Sequence, residues 1–326
     1  MLVLSDSDIR ALLPPDVCYA AMQDALAALA HGDVEQPAHR PMLAASGAAG
    51  LLAFMPAYAS APARAYGLKA ICVFPGNGAL GLDAHQGVVL LFDGRTGVPV
   101  AVLNASTVTE LRTPAVTAVA TALLARADAT ELVIVGAGVQ GAAHARALAR
   151  VRPFRRIRLV ARDAARARAV CAGLDAELDV AVEFCASVEE AVSSADVVVT
   201  ATTSRVPVVS RAWLRPGTHV NAVGASLPTT RELDTATMRA ASVFADSAAS
   251  AVLESGDYVL AAAEAPVTIH ASIGDVLIGR TTGRANDDEL TVFTSIGLAV
   301  EDLFAAQRAV SLAEARGLGT RLDLTA

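Results

Sequence analysis

Glu131-Leu132-Val133-Ile134-Val135-Gly136-Ala137-Gly138-Val139-Gln140-Gly141 joins an apolar, β-branched run of strand length to the spacing G-x-G-x-x-G. A helical pattern follows, with His144, Leu148 and Val151 about one turn apart. Strand, glycine turn and helix in that order are the context that makes the motif a dinucleotide fingerprint. Gly136 permits the tight turn, Gly138 lets the backbone approach a pyrophosphate, and Gly141 allows helix and strand to pack closely. The first helical N–H groups, at Val139, Gln140 and Gly141, face the phosphates, where the helix dipole favours negative charge.

Downstream the rhythm is β-α-β. Strands are expected at 156–161, near 180–183, and at 196–202, 218–224, 242–246 and 291–297, with helices at 164–174 and 187–194 between them. Alternation of this length predicts an α/β fold with a doubly wound parallel sheet of the Rossmann type. Ligands bind such sheets beyond the carboxyl ends of the strands. This makes Ala201, Thr202, Thr203, Val223 and Ser295 cofactor candidates. An acid about 20 residues past the glycines would bind a ribose hydroxyl. That position holds Ala161-Arg162, and the Asp163 that follows sits where a helix cap is due. Arg162, with Arg166 a turn later, suits a 2′-phosphate, which favours NADPH over NADH.

Upstream the chain reads differently. Ser5-Asp6-Ser7-Asp8 looks like a helix cap, Pro14-Pro15-Asp16 starts a second helix running towards Gly32, and strands are expected at 37–45, 50–56, 66–74, 86–93 and 98–104. The last two form a hairpin around Asp93-Gly94-Arg95-Thr96-Gly97, and a long helix spans about 106–125. Together with an amphipathic closing helix from Leu298 to about Ala315, these elements suggest a second, α+β domain. The expected division is 1–118 with 300–326 for that domain and 119–299 for the Rossmann domain.

Composition narrows the chemistry. At 326 residues, 54% hydrophobic and 18% charged, the chain has ample core, and its net charge of −7 with scattered basic residues gives no nucleic-acid footprint. Four cysteines form no C-x-x-C pair and no metal-ligand spacing, and no Ser-His-Asp ordering or G-x-S-x-G is present. The start lacks a signal-peptide core, and the most apolar helix is too short to span a bilayer, so a cytoplasmic protein without a membrane partner is expected. Of 26 Lys plus Arg residues all but Lys69 are arginine. A position that holds the one lysine marks a need for a compact ammonium whose pKa can shift. Lys69 lies in an apolar strand, and Arg112, preceded by Leu111, lies at the beginning of the long helix. Two cations so placed suggest a small anionic substrate gripped through its carboxylate, although an ion pair of Arg112 with Glu110 or Asp128 is the alternative. His85 lies where a loop enters a strand.

These segments together resemble the ornithine cyclodeaminase and mu-crystallin family over nearly the whole chain. The likeness rests on Met55-Pro56-Ala57-Tyr58, Gly67-Leu68-Lys69, His85-Gln86, Leu111-Arg112-Thr113 and Gly136-Ala137-Gly138-Val139-Gln140. It continues through Asn221-Ala222-Val223-Gly224-Ala225-Ser226, Arg231-Glu232-Leu233-Asp234, Thr291-Val292-Phe293 and Gly297-Leu298-Ala299-Val300-Glu301-Asp302. The resemblance implies a two-domain homodimer in which Lys69 and Arg112 contact the substrate carboxylate. A further substrate arginine belongs near residues 36–40, where the ungapped match falls on His39 and Arg40 comes one residue later. Cyclodeaminases of the family carry an Asp that engages the substrate amino groups. This chain has Ser226 there, as the ketimine-reductase branch does. The expected activity is therefore NAD(P)H-dependent reduction of a cyclic α-imino acid, with Arg40, Lys69, His85, Arg112 and Ser226 on the substrate. An alanine-type dehydrogenase, a cyclodeaminase and a non-catalytic NADPH-bound ligand binder are the rival expectations.

Overall fold

The computed structural model describes residues 1–37, 40–43, 50–61 and 63–323, positions 40–43 by their backbone alone. The chain forms two compact units, Met1–Arg112 with Leu298–Ala326, and Thr113–Gly297.

The first unit contains β1 (Leu2–Leu4), α1 (Asp6–Leu12), α2 (Pro15–His31), β2 (Val34–Glu35), β3 (Arg40–Leu43), β4 (Leu51–Ala59), β5 (Ala65–Val73), β6 (His85–Asp93) and β7 (Pro99–Asn104). α3 (Ala105–Leu124) follows. In this chain-order numbering the unit closes with α11 (Ala299–Arg316) and β16 (Thr320–Arg321). Local chemistry sets the ends of these elements. Ser5 caps α1 by accepting from the Asp8 N–H while Asp8 accepts from the Ser5 N–H at 2.9 Å, a reciprocal capping box. Pro15 opens α2, and Gly32, at φ 83°, ends it. Asp93 Oδ1 accepts from the N–H groups of Arg95 and Thr96 to shape the hairpin turn between β6 and β7.

The strands of this unit run in the order β16-β1-β7-β6-β5-β4-β2, with β3 on β4. Their residues alternate. Met55, Ala57 and Ala59 on β4, Ala65, Lys69 and Ile71 on β5, and Val89 and Leu91 on β6 are buried, while Phe54, Tyr66 and Val88 lie on the other face and are exposed. Period-two alternation with one covered face is the pattern of an antiparallel sheet packed on one side. α11 packs on β4, β5 and β6. It approaches so closely at Gly67 that a Cβ there would lie 3.0 Å from the Leu303 side chain.

The second unit holds β8 (Glu131–Val135), α4 (Val139–Leu148), β9 (Arg156–Val160), α5 (Ala164–Glu177), β10 (Ala181–Cys185), α6 (Val188–Val192), β11 (Val197–Thr200) and β12 (His219–Ala222). It continues through α7 (Thr235–Ala240), β13 (Ser242–Ala245), α8 (Ala248–Glu254), α9 (Gly256–Glu264), β14 (Ile269–Ser272), α10 (Ile273–Leu277) and β15 (Thr291–Thr294). All the pairings are parallel, in the order β10-β9-β8-β11-β12-β15-β13-β14. The central strands are buried along almost their whole length, which is why they read as unbroken apolar runs. Chain order reverses between β8 and β11, the switch point where such sheets bind ligands. β14 is not among the strands the sequence pattern predicts: its four residues include the polar His270 and Ser272, and it sits at the sheet edge. Among the described residues, no helix is long and apolar enough to cross a membrane.

Candidate active site

In the first unit the two cations flagged by composition share a pair of carboxylates at the start of α11. Lys69 Nζ lies 2.7 Å from Asp302 Oδ2. Arg112 Nε donates to Asp302 Oδ1 at 3.1 Å, and Arg112 Nη1 donates to Glu301 Oε2 at 2.7 Å. Glu301 Oε2 also accepts from the Leu298 N–H at 3.1 Å, and Lys69 Nζ donates to Thr109 Oγ1 at 3.4 Å. The four charged side chains are buried, so two positive and two negative charges face one another in a poorly screened setting. Glu110 and Asp128, the partners considered for Arg112, are engaged elsewhere: Glu110 pairs with Arg10 at 2.7 Å and Asp128 with Arg126 at 2.9 Å.

The electrostatics favour proton chemistry at Lys69. Burial pushes its ammonium below the ordinary lysine range, Arg112 adds to that push, and Asp302 resists it. Burial alone would raise the Asp302 carboxyl, but Lys69 and Arg112 hold it below the ordinary carboxylate range. The lysine is thus the group made readier to give up a proton, beside an anion that stays charged. His85 begins β6 opposite Val73, on the same face as Lys69, whose partner is Val89. His85 is exposed; partial desolvation lowers its imidazole pKa, the charges of Lys69 and Arg112 add to that push, and Asp83 resists it. Arg40 pairs with Phe54 across β3 and β4. Its side chain, and His39 altogether, lie outside the described residues, so the expectation about them has no structural counterpart.

In the second unit the glycine turn has the form that the motif requires. Gly136 sits at φ 128°, donates to the Val160 carbonyl at 2.8 Å, and could carry a Cβ only 2.4 Å from the Ala201 carbonyl oxygen. A Cβ on Gly141 would fall 1.9 Å from the Gly136 oxygen. Gly138 differs: nothing lies within 4 Å of its would-be Cβ, and as the residue before α4 it has no side-chain cap. Open space at Gly138, beside a helix start with no side-chain cap, fits a pyrophosphate. Arg162 and Arg166 are exposed after β9. Asp163 caps α5, accepting from the Arg166 N–H at 3.0 Å, so its carboxylate serves the helix.

The other candidates line the carboxyl ends of β11, β12 and β15. The Thr202 N–H donates to Glu232 Oε1 at 2.6 Å, Thr203 is exposed beside it, and Val223 is buried. Ser295 is buried, and Asp246 Oδ2 accepts from the next two N–H groups, of Ile296 and Gly297, at 2.8 Å each. Ser226 is half-buried on the segment after Gly224. Sequence reasoning did not assign roles to Glu301, Asp302 and Glu232. All three belong only to segments that carry the resemblance, and adjacent acids at the start of a helix, as Glu301 and Asp302 are, ordinarily serve its dipole. The available signal was their place at the one helix needed to cover the lysine strand.

Fold and site define a Rossmann-type chain carrying a separate α+β unit with a buried lysine–arginine–carboxylate cluster. The family model described as "Ornithine cyclodeaminase/mu-crystallin family" matches residues 1–314, and the chain belongs to that family. The ketimine reductase mu-crystallin of Mus musculus is 38% identical over 276 residues, covering 85% of this chain and 84% of that one. Among solved structures, Thermococcus litoralis Δ1-pyrroline-2-carboxylate reductase in complex with NADH and L-proline matches with TM-score 0.94 at 32% identity, covering 99% of this chain and 100% of that one. An archaeal alanine dehydrogenase dimer with bound NAD matches with TM-score 0.93 at 30% identity, covering 100% and 99%.

Proposed function

We propose that the chain uses NAD(P)H to reduce a cyclic α-imino acid, of the Δ1-pyrroline-2-carboxylate or Δ1-piperideine-2-carboxylate type, to the L-amino acid. The observation that carries this reading is the buried Lys69, readied to lose a proton, beside Arg112. The relatives named for ketimine and pyrroline-2-carboxylate reduction support it. A bound reduced nicotinamide supplies the hydride. Arg112, a planar fork, and Lys69 hold the substrate carboxylate. As the protonated imine carbon takes hydride, the C=N electron pair returns to the ring nitrogen, which then takes its second proton from Lys69 Nζ. Charge bookkeeping favours an imino acid. One that arrives protonated on nitrogen is neutral overall and leaves the balanced cluster balanced, whereas a 2-oxo acid adds an uncompensated negative charge, which is costly when buried.

Arg162 and Arg166, exposed after β9, support a preference for NADPH. The exposed apolar residues Phe54, Tyr66 and Val88 on the sheet face opposite α11 support a homodimer, as does the dimeric archaeal neighbour. The test is NADPH and NADH oxidation against both cyclic imines, against pyruvate with ammonia or methylamine, and a parallel assay of ammonia release from ornithine. Turnover of the imines without ammonia is the expected result. Turnover that requires pyruvate and ammonia would make the chain an alanine-type dehydrogenase, the second reading, which the archaeal neighbour favours. Tight nucleotide binding without turnover would make it a ligand binder.

A further inference from the structure

Glu232 is a wholly buried carboxylate to which the reaction above gives no part. Three donors converge on it. Oε2 accepts from Thr200 Oγ1 at 2.8 Å and from the Gly224 N–H at 2.7 Å, and Oε1 accepts from the Thr202 N–H at 2.6 Å. Thr200 ends β11 and Thr202 lies in the turn beyond it, while Gly224 lies in the turn after β12. One side chain therefore ties together the turns at the carboxyl ends of two neighbouring strands. Two of the three donors are backbone N–H groups, which cannot accept, so the ionised form satisfies all three.

The packing shows how close the two turns are held. A Cβ on Gly224 would lie 2.2 Å from the Thr202 carbonyl oxygen and 2.6 Å from Glu232 Oε1. The fingerprint turn leans on the same place, since Gly136 packs on the Ala201 carbonyl and Ala201 donates back to Val135 at 2.9 Å. Glu232 is itself pinned from behind. Its carbonyl accepts from Val208 and Val209, its N–H donates to Asp257 Oδ1 at 2.7 Å, and the Leu233 N–H donates to that same oxygen at 2.8 Å.

A Rossmann sheet is two mononucleotide-binding halves. The β8-β9-β10 half carries the fingerprint turn and Arg162, which serve the pyrophosphate and the adenosine ribose. The β11-β12 half is left for the nicotinamide ribose and ring, and Glu232 joins its two turns. We propose that Glu232 is a positioning residue for the nicotinamide half of the nucleotide site: its carboxylate locks Thr202 and the segment Gly224–Ser226 in register, without touching the ligand. The inference rests on the reading of the second unit as the nucleotide unit.

The experiment compares the full dinucleotide with an adenosine fragment. Kd values for NADPH and for 2′,5′-ADP are measured by calorimetry on wild type and Glu232→Gln. The amide leaves at least one turn facing a donor instead of an acceptor. NADPH binding should weaken about tenfold, as for a lost hydrogen bond to a charged group. The fragment, which reads only the other half, should change less than about twofold. Parallel weakening of both ligands, the signature of a general structural role, overturns the proposal, and so does no change in either. Wild type that binds neither nucleotide overturns the nucleotide reading itself, and this proposal with it. If Glu232→Gln does not fold, Thr200→Val removes one donor while keeping the β-branched shape. It should weaken NADPH about threefold, on the scale of one neutral-donor hydrogen bond, and leave the fragment unmoved; equal effects on the two ligands count against the proposal.

Discussion

Lys69 Nζ and Asp302 Oδ2 stand 2.7 Å apart, at 3% and 2% side-chain exposure, although 233 positions separate them in the chain. The contact bears on the protonation of Lys69. Asp302 favours the ammonium while burial and Arg112 oppose it, so removing the carboxylate charge should lower the lysine pKa further. For Asp302→Asn the alkaline limb of the kcat profile is expected to move to lower pH. Turnover at pH 8 should fall about 10²-fold or more, the scale of lost acid–base catalysis. A full pH–rate profile beside a melting curve checks this. An unmoved limb with a lowered Tm would mean that Asp302 serves the fold alone.

Arg112 reaches two carboxylates at once, Nε to Asp302 and Nη1 to Glu301, which leaves its orientation little freedom. Lysine has no planar fork, so Arg112→Lys keeps the charge but loses that double engagement. KM for the imino acid should rise about tenfold or more, the loss expected of a charged hydrogen bond, while the Kd for NADPH stays at the wild-type value. Initial-rate kinetics with a separate nucleotide titration resolve the two. A rise in the nucleotide Kd would move Arg112 out of the substrate site. Arg112→Ala should do worse, because buried Glu301 then loses its cation and Asp302 keeps only Lys69, at a cost of about 3–5 kcal/mol in stability.

How far the sequence disclosed these features follows from how local their causes are. Strand β8, the glycine turn and helix α4 form one continuous segment, and the period changes within a dozen residues, so both the motif and its context could be read directly. Lys69 stood out because arginine occupies every other basic position. Glu301 and Asp302 depend on contacts about 190 residues away along the chain, and no periodicity encodes which buried cation a helix-start acid will meet. Glu232 is similar: its three donors come from the end of β11 and from two turns whose approach is set by glycine packing. Strand β14 is short, polar in half its residues, and held by a single neighbour, β13.

Arg162 and Arg166 stand exposed where a ribose-binding acid would otherwise be, with Asp163 between them occupied as a helix cap. If a 2′-phosphate binds there, Arg162→Ser should lower kcat/KM for NADPH about 10-fold or more, as a lost charge-assisted contact does. The value for NADH should hardly change. The ratio of the two specificity constants, measured at fixed ionic strength, is the readout. Equal losses for both nucleotides would remove the 2′-phosphate from the account.

Asp257 gives the pH dependence of stability its most distinctive component. Burial pushes its carboxyl up to about 7, against an ordinary value of 3.8, despite the N–H groups of Leu233 and Glu232 that favour the anion; Glu232 adds repulsion and Arg231 opposes it. Its Oδ2 is buried without a hydrogen-bond partner, so a proton can sit there while Oδ1 keeps both N–H donors. Between pH 4 and 7 the folded chain therefore binds a proton that the unfolded chain has released. By linkage this contribution is stabilising at low pH and is lost as pH rises through about 7. His144 and His219 act the other way. Burial lowers them to about 4 and about 3, so their contribution is present above the ordinary histidine value of 6.5 and is lost as pH falls. Asp257→Asn, an isostere of the neutral acid, should separate the two trends. It is expected to match wild type near pH 5 and to exceed it in urea midpoint at pH 8.5. A difference between variant and wild type that is flat across that range would show that Asp257 is ionised in the folded chain throughout.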